Sequence, residues 1–206
     1  MREAFFEETA KVENEQSADK KYTVYNGLSI FFYVIFGIFI TVVLYFGGVV
    51  WDSIEHAEGN VLVIVVNILG VVLPAAAFFF LGFLFYKLKV KAYTEYDYSI
   101  VSGTVSFAKI IHNSKRKSVA KIDCREIERV GVYEGDSYKN YMAREGVKSI
   151  RLFSTKTPAE GKKYYYLATN VEAVKTLFII ECSRPFLKTL FLFVGRSCID
   201  REVIEK

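Results

Sequence analysis

The chain is poor in the residues that carry small-molecule chemistry. Its 206 residues include two histidines, His56 and His112, and three cysteines, Cys124, Cys182 and Cys198. The cysteines form no CxxC pair and no even set, so their spacing supports neither a disulfide framework nor a zinc site. Reduced or buried thiols are expected instead. No HExxH, Walker loop, GxGxxG or nucleophile beside a partnered base occurs. Glu55, His56 and Glu58 could hold a surface metal only weakly, and a solvated acidic loop is the plainer reading. The expectation is a protein that is not an enzyme and takes no cofactor or metal.

The most informative absence is charge. Residues 27–50 contain no Asp, Glu, Lys, Arg or His, and neither do residues 61–86. A helix rises about 1.5 Å per residue, so about 20 apolar residues cross a hydrocarbon core of about 30 Å. Both runs are long enough, and only WDSIEHAEGN (51–60) separates them. A transmembrane hairpin is expected, with spans at 27–50 and 61–86.

Charge is distributed unevenly around that hairpin. Residues 1–26 have four Lys/Arg against six Asp/Glu, and the 51–60 loop has three acidic residues and no Lys or Arg. The basic surplus lies after residue 86. Lys20 and Lys21 precede the first span, and Lys87, Lys89 and Lys91 follow the second. The positive-inside rule then places both termini in the cytoplasm and the loop outside, in a multi-pass plasma-membrane protein. Trp51 towards the outer end, with Tyr22, Tyr25, Tyr86 and Tyr93 towards the inner one, fits an aromatic belt. Residues 1–26 are acidic as well as basic, and the first apolar run is too long for a secretory signal.

Within the spans, Asn67 and Pro74 stand out. An Asn in hydrocarbon needs a partner, and Gly37, Gly47, Gly48, Gly70 and Gly82 would let helices approach closely. Asn67 is therefore a candidate helix–helix contact; a ligand or transport role is the competing reading. Pro74 is expected to kink its helix. Before the spans, residues 2–20 read as a short amphipathic helix or as a solvated tail.

After Lys91 the apolar period becomes that of strands. In TEYDYSIV, Tyr96, Tyr98 and Ile100 alternate with polar residues. Strands are expected at 104–111, 119–124, 130–134, 147–154, 163–169 and 175–182. HNSKRKS (112–118) reads as a polar turn and 135–146 as a long mobile loop. Ser183 and Pro185 then open an amphipathic helix bearing Phe186, Leu190 and Val194 on one face, with Gly195 as its stop.

Seven strands followed by one amphipathic helix resemble a pleckstrin-homology (PH) domain. The segments YDYSIVSGTVSF, HNSKRKSVAKID, CREIERVGVY and FIIECSRPFLKTLF resemble bacterial PH-like domains found beside transmembrane hairpins. The resemblance covers residues 92–196 and the two preceding spans. It implies two bent antiparallel sheets closed by a C-terminal helix, in a domain spanning 92–206. Phosphoinositide-binding PH domains carry their key basic residues around the first hairpin. Here that turn is only Ser102-Gly103, so an inositide site does not carry over.

Two surfaces are candidates for binding. Lys115, Arg116 and Lys117, with Lys109 and Lys121 in the flanking strands, form a basic cluster that a nearby anionic leaflet would attract. A solvated hairpin tip is the competing reading. Tyr138, Tyr141 and Arg144, in the 135–146 loop, have the composition of a protein contact. The expected role is a PH-like binding or assembly module at the cytoplasmic membrane face. The alternatives are an anionic-lipid sensor and an accessory subunit of a transporter or envelope complex. Candidate partners are the membrane, anionic lipid head groups, and a protein partner or second copy of the chain; nucleic acid is not expected.

Overall fold

Phe5–Ala10 forms a strand, β1, whose side chains alternate between solvent and core. In this computed structural model, which describes residues 5–55 and 61–205, the segment is neither helix nor solvated tail. β1 pairs antiparallel with β2 (Thr94–Val101), setting Phe6 opposite Ile100, Glu8 opposite Tyr98 and Ala10 opposite Tyr96. FFEETA has the period-2 pattern of a strand, but its partner lies more than eighty residues away. A local reading of the sequence has no access to that partner.

Between β1 and β2 run two helices, α1 (Glu15–Glu55) and α2 (Val61–Ala92). Both are long and apolar enough to cross a membrane. They extend past the expected spans because nothing at the polar flanks breaks them. Trp51–Glu55, expected as loop, continue α1, whereas His56 and Glu58 lie outside the described residues. Residues 16–93 form one compact unit, and the segment up to Glu15 joins residues 94 onward in the other.

Within the helical unit α1 and α2 are antiparallel and joined by rings. Phe32 stacks on Phe85 at 5.6 Å, and Phe36 and Phe39 meet Phe79 and Phe78. Ser29 donates to the Gly82 carbonyl at 3.0 Å, and Lys89 to the Asn26 side chain at 2.8 Å. A Cβ on Gly82 would stand 3.0 Å from the Tyr33 ring, so a larger residue there would have to push the ring aside by a few tenths of an ångström. Gly37, Gly47, Gly48 and Gly70 have no such neighbour.

The β unit has two four-stranded sheets. The first has the order β1-β2-β3-β4, with β3 at Thr104–Ile111 and β4 at Lys115–Asp123. The second has the order β5-β7-β8-β6, built from Ile127–Val132, Lys162–Val171, Val174–Ser183 and Lys148–Arg151. Eight strands therefore replace the expected seven. One pairing, β6 with β8, is parallel. The chain does not hairpin from β5 into β6. It crosses through α3 (Asp136–Met142) and arrives on the far side of β8.

The two sheets enclose one core. Tyr98, Ile100, Val105, Phe107 and Ile122 meet Ile127, Val130, Leu167, Phe178 and Ile180, with Phe107 stacked on Phe178 at 5.3 Å. Helix α4 (Arg184–Phe191) adds Phe186, Leu187 and Leu190 to it. Phe186 packs edge-on against Tyr98 and Phe6. A second, smaller core lies on the other face of the second sheet, where Tyr166, Ala168, Leu177 and Ile179 are covered by Tyr138, Tyr141 and Phe153.

β1 is fastened by charge as well as by its ladder. The Glu8 carboxylate sits 3.0 Å from Lys162 Nζ and accepts from both the backbone N–H and the hydroxyl of Ser183, the residue preceding α4. Ser183 makes no side-chain cap of its own. A residue from before the helix pair thus does the capping. Lys162 Nζ also donates to the Thr9 carbonyl at 2.7 Å.

Candidate binding surfaces of the β unit

The basic cluster is not a turn. Its turn is His112–Ser114, with His112 and Asn113 at positive φ, and Lys115–Lys117 already belong to β4. Strand alternation then separates the residues. Arg116 pairs with Glu7 at 3.2 Å and Asp97 at 3.4 Å, and Asp97 also accepts from the Thr9 hydroxyl. Arg116 is thus a strut across the first sheet, with its side chain still 56% exposed. Lys109 and Lys117 face each other in register, beside Lys115. Lys121 lies beyond a bulge, opposite Ser106.

Register also fixes where these lysines lie. Thr94, the first residue of β2, is opposite Ile111, which is opposite Lys115. At about 4.8 Å per strand, Lys115 is about 10 Å from the residue at which the chain leaves the helices.

Tyr138 and Tyr141 do not belong to a mobile loop. They lie on α3 with i, i+3 spacing and turn inward. Tyr138 packs 4.9 Å from Tyr133 and 5.7 Å from Tyr166, and the Arg144 guanidinium lies 4.2 Å over the Tyr141 ring. Part of their apolar surface covers the second core, which leaves both rings half-buried, while Arg144 is exposed. The i, i+3 spacing was the overlooked sign of a helix. Asn67 donates to the Val63 carbonyl of its own helix at 2.9 Å, so it is not an interhelical hydrogen bond. The preceding turn offers a carbonyl within reach, as polar side chains in helices often find. Ser29 and Lys89 supply cross-helix bonds instead.

The sequence reading also missed a groove beside α3. It has a volume of about 510 Å³ and is lined by aromatic and basic residues. Phe153 and Tyr164 stack at 4.3 Å, and Tyr133 meets both edge-on. Arg151, Lys156 and Lys163 surround these rings, with Glu134 at the margin. Burial raises the Tyr133 hydroxyl pKa, an effect the nearby Arg151 opposes. The three cations lie within thirteen residues, at the end of β6, in the following loop and in β7, and the return of the chain from β6 into β7 brings them around one set of rings.

The C-terminal segment is locked by a polar chain. Arg129 Nε meets buried Asp200 at 2.5 Å, and the Tyr166 hydroxyl donates to the same carboxylate at 3.0 Å. Gly131 is required here. A Cβ would fall 2.3 Å from Asp200 Oδ2 and 2.4 Å from the Tyr166 ring. Among the described residues no three His, Cys, Asp or Glu side chains gather as a metal site.

The family described as "Bacterial PH-like domain (DUF6106)" matches residues 5–200. The chain belongs to that family. The match begins at the first residue of β1 and runs through both helices, so the helix pair is an insertion within the PH-like domain. No curated protein and no solved structure matches the chain.

Proposed function

We propose that the chain is a two-span membrane protein whose PH-like domain serves, without catalytic chemistry, as a binding and assembly module at the cytoplasmic membrane face. One observation carries this reading. β1 precedes the helix pair and β2 follows it, yet the two strands are hydrogen-bonded along their length. If α1 crosses a bilayer, α2 must bring the chain back, because β1 and β2 can pair only on one side. The basic flanks at Lys20, Lys21, Lys87, Lys89 and Lys91 favour the cytoplasm for that side.

Single-cysteine variants test it. In a Cys198→Ser background, Lys11→Cys, Asp52→Cys and Glu134→Cys are exposed in turn to a membrane-impermeant maleimide on intact cells. Only Asp52→Cys should label before permeabilisation. Labelling of Lys11→Cys from outside would refute the topology.

A second reading is favoured by the register of Lys109, Lys115 and Lys117, close to the chain's exit from α2. Each basic residue near an anionic leaflet contributes about 1 kcal/mol. Hydrogen exchange at 109–117 should slow in anionic nanodiscs relative to neutral ones. Lys115→Glu with Lys117→Glu should abolish the difference, and equal exchange in both lipids would refute lipid contact.

A further inference from the structure

The groove beside α3 contains three cations, and among the described residues none has a carboxylate within ion-pair distance. The buried acid nearby is already committed: Glu181 accepts from the Thr155 hydroxyl and the Ala159 N–H. Glu134 is the one carboxylate lining the groove. Arg151, Lys156 and Lys163 therefore outnumber the lining carboxylate, Glu134, and present a net positive rim around Tyr133, Phe153 and Tyr164. Such a rim raises the local concentration of anions and speeds their capture.

The shape narrows the occupant. Sites for small molecules enclose about 70–90% of the ligand's surface. This groove is open along one side, so an occupant would remain in contact with water. Tyr, Phe and Arg are the residues enriched at protein interfaces, where an aromatic floor takes an apolar anchor. A guanidinium holds a carboxylate by two parallel hydrogen bonds, and lysines add point charges without fixing orientation.

We propose that this groove docks a short acidic segment of a partner protein. Its carboxylates would lie on Arg151, Lys156 and Lys163, and one apolar side chain would lie on the Tyr133–Phe153–Tyr164 floor. The proposal rests on the reading of the domain as a binding module, and it names the chemistry of the partner. It also places protein docking on a different sheet from the lysines of β3 and β4.

The test uses the full chain in an uncharged detergent and a fluorescein-labelled peptide of alternating Glu and Leu, followed by fluorescence anisotropy. Saturable binding is expected, weakening several-fold when salt rises from about 50 to about 300 mM as screening shortens the reach of the charges. A peptide with Gln in place of Glu should bind at least about tenfold more weakly. Arg151→Glu with Lys163→Glu should cause the same loss, and both positions are exposed, so thermal unfolding should show the fold retained. If that pair does unfold, Lys156→Glu in the adjacent loop makes the same test. Lys115→Glu with Lys117→Glu should leave peptide binding unchanged. Equal binding of the Gln peptide, equal loss in the Lys115/Lys117 variant, or no saturable binding at low salt would overturn the proposal. Displacement of the peptide by ATP at far lower concentration than by unlabelled peptide would also overturn it, in favour of a small-molecule site. The maleimide pattern on intact cells does not depend on any of these outcomes, so failure of the docking proposal leaves the topology reading separately testable.

Discussion

Glu8 provides the sharpest test of the fold. If residues 1–26 were a solvated tail, Glu8→Ala would be silent. In the structure its carboxylate side chain is 9% exposed and pairs with Lys162, which is 20% exposed. It also satisfies the Ser183 N–H and hydroxyl at 3.1 and 2.9 Å. Truncation strands an ammonium and leaves a part-buried donor unpaired. Breaking a buried pair from one side costs about 3–5 kcal/mol, and an unsatisfied N–H about 1–3 kcal/mol. Lys162 keeps the Thr9 carbonyl and some water, so the total falls at the bottom of the range for a broken pair. About 3 kcal/mol is expected, which corresponds to a fall in Tm of about 10 °C for a domain of this size. Thermal unfolding of the full chain in detergent, monitored by near-UV circular dichroism, measures it. Hydrogen exchange at Ser183 should accelerate in parallel. Glu8→Gln should lie between Ala and the native residue, since it keeps an acceptor for Ser183 but loses the charge. If Glu8→Ala and the native protein unfold within about 0.5 kcal/mol of each other, a spread usual for surface substitutions, the β1 assignment is wrong.

Four further outcomes follow from particular contacts. A fragment of residues 94–206 lacks β1 and exposes the β2 edge, so it should associate or unfold in gel filtration, whereas residues 5–15 fused to 94–206 by a flexible linker should give a folded monomer. Gly131→Ala should cost about 3 kcal/mol, because its Cβ must displace Asp200 or Tyr166 and break their hydrogen bond; a melt unchanged from the native protein would refute the close approach. The Asp123 pKa is lowered from 3.8 to about 2, first by its side-chain hydrogen bond to Arg125 and then by the Arg125 backbone N–H. The stabilisation is therefore present above pH 3.8 and lost as pH falls towards about 2, and Asp123→Asn should flatten the acid-unfolding profile across that window. Burial pushes the Cys124 thiol up to about 12 and the Cys182 thiol well above its ordinary value. A thiol reagent near neutral pH should therefore modify only the half-buried Cys198 in the native protein, but all three cysteines after denaturation.

The helix pair and the β domain were legible because their signals are local. Uninterrupted apolar runs need no partner to be read, and the alternation of Tyr96, Tyr98 and Ile100 with polar residues in TEYDYSIV marks a strand wherever it pairs. The C-terminal helix was legible for the same reason, through Phe186 and Leu190, although it ends at Phe191 and Val194 reaches the core from the turn after it. The candidate sites fared worse. Lys115, Arg116 and Lys117 look alike in sequence, but strand parity sends Arg116 into an ion-pair network and leaves the lysines outside it. Tyr138 and Tyr141 read as exposed because the face they cover, Tyr166 to Ile179, is assembled from strands that follow them.

The sequence by itself determined composition-level facts. Two segments must avoid water, the segment after them must form a β-rich core, and the basic surplus falls on that second part. Tertiary structure alone decided that FFEETA is the first strand of the same domain, that the helix pair is inserted between two bonded strands, and that Arg151, Lys156 and Lys163 ring one aromatic groove. The reason is physical. Hydrophobic periodicity is a property of neighbours along the chain, whereas strand partners, buried ion pairs and converging cations depend on which distant segments the closed core brings within hydrogen-bond reach.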